Sequence, residues 1–192
     1  MKIVCLGDSL TKSYKIKKNE SWVALADANS EHEWINQGIL GDTSVGMLSR
    51  LERDCFSYNP QAAILMSGTN DLIQGVTLPF IQSNLACAVH HCKHFGVTPY
   101  VGIPILSDPA IASTYWGKQI DFNFVNQQLQ LYRSWIMQFC EQFSCPVIDF
   151  QKNFLSVVSA NSTQEWYIDG LHPNAAGNKV FVESLPGALY KK

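Results

Sequence analysis

The chain has 192 residues, about the size of one domain, and is 46% hydrophobic against 16% charged, which excludes disordered and collagen-like classes. Its net charge of −2, from 14 Lys+Arg against 16 Asp+Glu, carries no electrostatic footprint of a nucleic-acid binder. The one basic run, Lys15–Lys18, is too short to track a phosphate backbone, and no apolar stretch is long enough to cross a bilayer. Lys2-Ile3-Val4-Cys5-Leu6 reads as a buried first strand that ends at Gly7-Asp8. That start leaves no room for an export signal, so the expected address is cytoplasmic and the six cysteines are expected as free thiols. Ser21 is placed to cap a helix over 22–28, and Trp34-Ile35 is a short second strand running into Gly38. Thr43 or Ser44 caps a helix with its apolar stripe at Val45, Leu48, Leu51 and Cys55. The run Ala62–Met66 has the continuous apolar character of a strand covered on both faces. A third helix opens at Thr77-Leu78-Pro79, runs its stripe through Ile81, Leu85, Ala88, Cys92 and Phe95, and stops at Gly96. A strand over 97–103, a long helix over 122–143, a strand at Val147-Ile148 and a final helix from about Pro173 to Val182 complete the series.

Alternating strands and helices imply parallel pairing through right-handed crossovers, an α/β class built as a three-layer α/β/α sandwich. With no internal repeat, low-complexity tract or linker, residues 1–192 read as one domain. Ligands of such sheets bind outside the carboxyl ends of the strands. The loops there hold Gly7–Ser9, Gly38–Thr43, Ser67–Asp71 and Pro104–Trp116, with Asp169–Pro173 before the last helix.

The chemistry those loops offer is hydrolytic. Ser9 needs a base to become a nucleophile, and His172 in Asp169-Gly170-Leu171-His172-Pro173 is the best candidate. Asp169, three residues earlier, is close enough to accept from the imidazole Nδ1–H and fix its tautomer. Gly41 and Asn70 are at the same sheet edge to supply oxyanion donors, one from the backbone and one from a side-chain amide. The 18 residues from Pro104 to Asp121 exceed an ordinary connection of about 2–6 residues and hold Ile105, Leu106 and Trp116. They are expected to cap the acyl side of a pocket, with Leu10 and Leu171 beneath.

Gly7-Asp8-Ser9-Leu10, Gly41-Asp42-Thr43, Gly68-Thr69-Asn70-Asp71 and Asp169-Gly170-Leu171-His172-Pro173 together resemble the blocks of the GDSL or SGNH hydrolases, in the family's order and across nearly the whole chain. The resemblance is nearest to the small bacterial lysophospholipase and arylesterase type. It implies a flavodoxin-like fold with five parallel strands and a serine esterase or acylhydrolase acting through an acyl-enzyme. Ser9 would be the nucleophile, His172 the base and Asp169 its partner. Ser9, Gly41 and Asn70 would form the oxyanion hole, without metal or organic cofactor, on a small-molecule ester. Many relatives carry glycine a few residues after the serine, where this chain has Ser13. The rival reading is a flavodoxin-like binding module that keeps the site as a ligand cradle without turning over. Cys87, His90, His91, Cys92 and His94 look like metal ligands, but Cys92 falls on the core stripe and His90 and His94 on the solvent side, without zinc-site spacing. Gly41–Gly46 lacks the lysine of a phosphate loop, since Met47 follows, and Gly-x-Gly-x-x-Gly and Gly-x-Ser-x-Gly are both missing. Oligomeric state is not legible in the sequence.

Overall fold

In the computed structural model, residues 1–159 and 165–190 are described. Strands buried on both faces require nearly continuous apolar sequence, and β1 (Lys2–Gly7) and β3 (Ala62–Met66) meet that demand at the centre of the sheet. The half-buried β2 (Glu33–Gly38) forms one edge. Beyond β3 lie β4 (Thr98–Gly102) and the two-residue β5 (Val147–Ile148). The order is β2-β1-β3-β4-β5 with every neighbouring pair parallel.

Side chains alternate across a strand, so each strand feeds two cores. Val4, Leu6, Ala63 and Leu65 pack under α3 (Ser44–Ser49), α4 (Leu51–Asp54), α6 (Leu78–His94) and α8 (Phe122–Gln142). Ile3, Cys5, Ile64 and Met66 pack on the other face under α2 (Trp22–Ala28), α9 (Phe150–Val158) and α10 (Ala175–Glu183). Three short helices remain on the carboxyl edge: α1 (Ser9–Lys12), α5 (Thr69–Ile73) and α7 (Pro109–Trp116). The helix that follows β1 covers one face and those that follow β2 cover the other. The carboxyl end of β1 therefore borders the crevice where the winding reverses.

Several helix ends follow their caps: Ser21 accepts from the Ala24 amide, Thr43 from Gly46 and Asn174 from Gly177. Elsewhere the chain departs from its sequence periodicity. The helix expected through Val45, Leu48, Leu51 and Cys55 breaks at Arg50, which turns its side chain inward to Asp42 and the Gly7 and Gln37 carbonyls. Its buried stripe starts from Met47, while Val45 is 48% exposed. Phe95, read as the end of the α6 stripe, is 59% exposed and stacks on Phe56. The long connection after β4 contains a helix, α7, capped by Asp108 with Pro109 in its first turn. The last strand passes straight into α9, a helix the sequence pattern did not announce, through its cap Asp149.

Candidate active site

Ser9 opens α1 directly after β1. The Asp8 carboxylate accepts from the Leu10 amide at 2.8 Å, which pins that first turn. As the first residue of the helix, Ser9 has a backbone N–H without an intrahelical acceptor. Its Oγ lies 2.8 Å from His172 Nε2, and His172 Nδ1 lies 2.9 and 3.1 Å from the two Asp169 oxygens. An ionised carboxylate only accepts, so the imidazole proton is on Nδ1 and Nε2 is left to accept from the serine hydroxyl. All three side chains are buried.

Asp169 is held in a turn of its own making, because Oδ1 also accepts from the Leu171 and His172 amides at 3.0 and 2.9 Å. Burial works to raise its pKa. The hydrogen bond and charge of His172, with the two amides, outweigh burial and hold the carboxyl below its ordinary value. Gly170 at the centre of the turn has φ +79, and a Cβ there would collide with the backbone of Ala112. Its carbonyl accepts from the Asp108 amide at 2.7 Å, so α7 is seated directly on the turn that carries His172.

Gly41 and Asn70 reach the same pocket from neighbouring loops. Gly41 has φ +74 with open space where a Cβ would stand, so backbone conformation rather than crowding calls for glycine. Asn70 Nδ2 donates to the Asp42 carbonyl at 2.8 Å, which ties the two loops together. Beneath them Arg50 grips Asp42 with Nε and Nη2 at 2.8 and 2.7 Å, and Ser44 donates its amide and hydroxyl to Asp71. Both acidic residues brace loops. Burial pushes the Asp8 carboxyl up to about 7, partly offset by the Leu10 amide and reinforced by Asp42 and Asp71.

The pocket encloses about 390 Å³. Ser9, His172, Gly41 and Asn70 supply its polar side, and Leu40, Ile73, Trp116, Ile120, Phe122 and Leu171 its apolar wall. Trp116 and Leu171 thus stand where the sequence pattern put them, but Leu10, Ile105 and Leu106 do not. Leu10 turns under α1 into the core beside Trp22, whose indole donates to the Leu10 carbonyl. Ile105 lies in that same core and Leu106 in the opposite one, because the chain leaving β4 is still packed between the layers there. Tyr14 went unnoticed in the sequence: its ring centroid is 4.4 Å from that of His172, with Trp116 at 5.5 Å from the same imidazole. The available signal was proximity, since Tyr14 comes five residues after Ser9, just beyond the end of α1, and its amide donates to the Ser9 carbonyl. Among the described residues no group of three His, Cys, Asp or Glu side chains could hold a metal ion; His90 instead packs edge-on against Phe139 and Phe143.

The model of the GDSL-like lipase/acylhydrolase family matches residues 5–180. The chain belongs to that family. An esterase of Pseudomonas aeruginosa, TesA, is 32% identical over 99 residues, 49% of each chain, and an arylesterase of Vibrio mimicus is 34% identical over 100 residues, 50% of each. The matched part thus spans about half the length of these curated relatives. Among solved structures, a GDSL lipolytic protein from Veillonella parvula superposes with a TM-score of 0.82 at 22% identity, covering 96% of this chain and 95% of that one. The acetylxylan esterase Axe2 from Geobacillus stearothermophilus gives 0.81 at 18% identity, covering 100% of this chain and 94% of that one. This chain and these two share the GDSL-family fold.

Proposed function

We propose that this chain is a serine ester hydrolase, a single domain that works through an acyl-enzyme on Ser9. The observation that carries the reading is the unbroken hydrogen-bond chain from Ser9 Oγ through His172 to Asp169 at the mouth of an apolar pocket. Ser9 attacks the ester carbonyl as His172 Nε2 takes its proton, and Asp169 stabilises the imidazolium that forms. The N–H groups of Ser9 and Gly41 and the remaining proton of the Asn70 amide hold the oxyanion. His172 then protonates the departing alcohol, and afterwards draws a proton from the water that releases the acid.

The acyl group occupies the wall formed by Ile73, Ile120, Phe122, Leu171 and Trp116. This chemistry asks nothing of a metal or an organic cofactor. All six cysteines are free thiols, which suits the reducing cytoplasm in which we place the chain; no helix among the described residues is long and apolar enough to cross a membrane. A fluorophosphonate probe tests the proposal. Labelling that maps to Ser9, with Ser9→Ala losing both label and hydrolysis of short-chain acyl esters, is the expected result. A parent protein that is neither labelled nor active on any ester would establish the non-catalytic binding module instead.

A further inference from the structure

A groove of about 810 Å³ runs beside the catalytic pocket and shares two of its wall residues, Tyr14 and Leu40. Its own lining includes three exposed ammonium groups, on Lys12, Lys15 and Lys18, against one carboxylate, Asp27, one of whose oxygens already accepts from the Trp34 amide. Among the described residues none of the three lysines is in an ion pair. The chain as a whole carries a charge of −2, so this local surplus runs against the average. We propose that the groove receives the alcohol half of the substrate ester, and that this half bears an anionic group, a phosphate or a carboxylate, held by Lys12, Lys15 and Lys18. The proposal rests on the ester-hydrolase reading above.

Its direction follows from the chemistry of the two ends. The far side of the catalytic pocket is walled by Ile73, Ile120, Phe122 and Leu171 and suits an acyl chain. The leaving oxygen must meet His172 Nε2 to be protonated, and the nearer of the two rings packed on His172 is Tyr14, the residue shared with the groove. An alcohol departing past Tyr14 enters among the lysines. The ammonium of Lys15 stands 5.1 Å from the Tyr14 ring centroid, so a cation already sits on the threshold between the two spaces.

The loop is built to stay there. Ser13 and Lys15 both adopt left-handed conformations, at φ 62 and 56, which side-chain-bearing residues enter only when their surroundings enforce it. Here the Ser13 hydroxyl donates to the buried Asn178 Oδ1 at 2.7 Å and the Tyr14 amide to the Ser9 carbonyl at 3.1 Å.

The test uses three esters that share a butyryl group: those of ethylene glycol, of 2-hydroxyethyl phosphate and of glycolate. The first is neutral, and the other two place a phosphate or a carboxylate on the alcohol side. The parent protein should favour an anionic ester over the neutral one by about tenfold in kcat/KM, mostly through KM, given the modest strength of exposed charge pairs. Half-molar salt should erase most of that preference. Which of the two anionic esters is favoured identifies the group recognised. Replacing all three lysines (K12M, K15M, K18M) should cost the favoured anionic ester at least fivefold more than the neutral one, whereas the triple arginine variant should keep the preference. Equal rates on all three esters by a protein that labels with fluorophosphonate, or a preference that survives the methionine variant or high salt, would overturn the groove assignment alone. A parent protein that neither labels nor hydrolyses any of the three overturns the ester-hydrolase reading and this assignment with it.

Discussion

Arg50 is the residue on which the Gly41–Asp42 loop hangs, and Arg50→Met measures how much. Its guanidinium is 5% exposed and meets Asp42, 11% exposed, through Nε and Nη2 at 2.8 and 2.7 Å. Nη2 also donates to the Gly7 carbonyl at 3.0 Å and Nη1 to the Gln37 carbonyl at 2.8 Å, so one side chain ties together the carboxyl ends of β1 and β2. Methionine keeps the length and packing but strips the guanidinium from the Asp42 carboxylate, which keeps the Thr43 amide, and from the Gln37 and Gly7 carbonyls, of which Gly7 keeps the Ile39 amide. Breaking a buried ion pair in this way costs about 3–5 kcal/mol, chiefly for the charge left behind. Asp54, the guanidinium's other partner, keeps Arg53 and adds little. For a chain of this size each kcal/mol moves Tm by about 2–4 °C, so the expected drop is roughly 6–20 °C by thermal unfolding. Asp42→Asn in the same background should recover part of it, because the stranded charge is gone, and the double-mutant cycle should give a coupling above about 1 kcal/mol. Since the Asp42 carbonyl also holds the Asn70 amide, turnover should fall more than substrate affinity. A Tm within about 3 °C of the parent, measured where two-state unfolding holds, would refute the reasoning.

Asn70→Ala removes the oxyanion donor proposed above and should lower kcat by about 10²–10³ with KM nearly unchanged; a purely KM effect in steady-state kinetics would show that Asn70 only holds Asp42 in place. Trp116→Ala opens the proposed acyl wall, so octanoyl esters should lose more kcat/KM than acetyl esters, by up to ~0.8 kcal/mol per methylene left unburied. Equal losses along the series would make Trp116 scaffold for His172 instead. Asp8→Asn tests burial of the carboxyl beside Ser9. The folded chain keeps the Asp8 proton up to a pH of about 7 while the unfolded chain releases it near 4, so this group subtracts stability as pH rises between those values, by roughly 4 kcal/mol at the top. The amide stays neutral and still accepts from the Leu10 amide, so urea unfolding should show the variant equal to the parent near pH 4 and more stable at pH 8. Parallel pH profiles would remove the claim. Asp169 acts in the opposite sense and in a lower window: its depressed pKa contributes stability that is present above about 4 and is lost as pH falls through its folded value.

Much of the architecture was legible because the signals are local and repeated. Buried parallel strands must be apolar along their length, as in Ala62–Met66, and helix starts must be capped, as at Ser21 and Thr43. Parallel topology then sends every strand's carboxyl end to one edge, so Ser9, Gly41, Asn70 and the Asp169–His172 turn had to converge there however far apart they lie in sequence. What sequence could not decide was the direction of individual side chains at that edge. Leu10, Ile105 and Leu106 have the composition of a pocket wall, but α1 and the exit from β4 point them into the layers below. Tyr14 and Lys15 look like an ordinary polar loop until left-handed turns at positions 13 and 15 swing the ring onto His172. Arg50 lies inside a helical segment on paper, and only the nearby Asp42 carboxylate and the strand-end carbonyls of Gly7 and Gln37 turn it inward and break the helix. Periodicity is set by neighbours three or four residues away, whereas the orientation of a loop or junction side chain is set by partners dozens of residues distant, and those exist only once the sheet has formed.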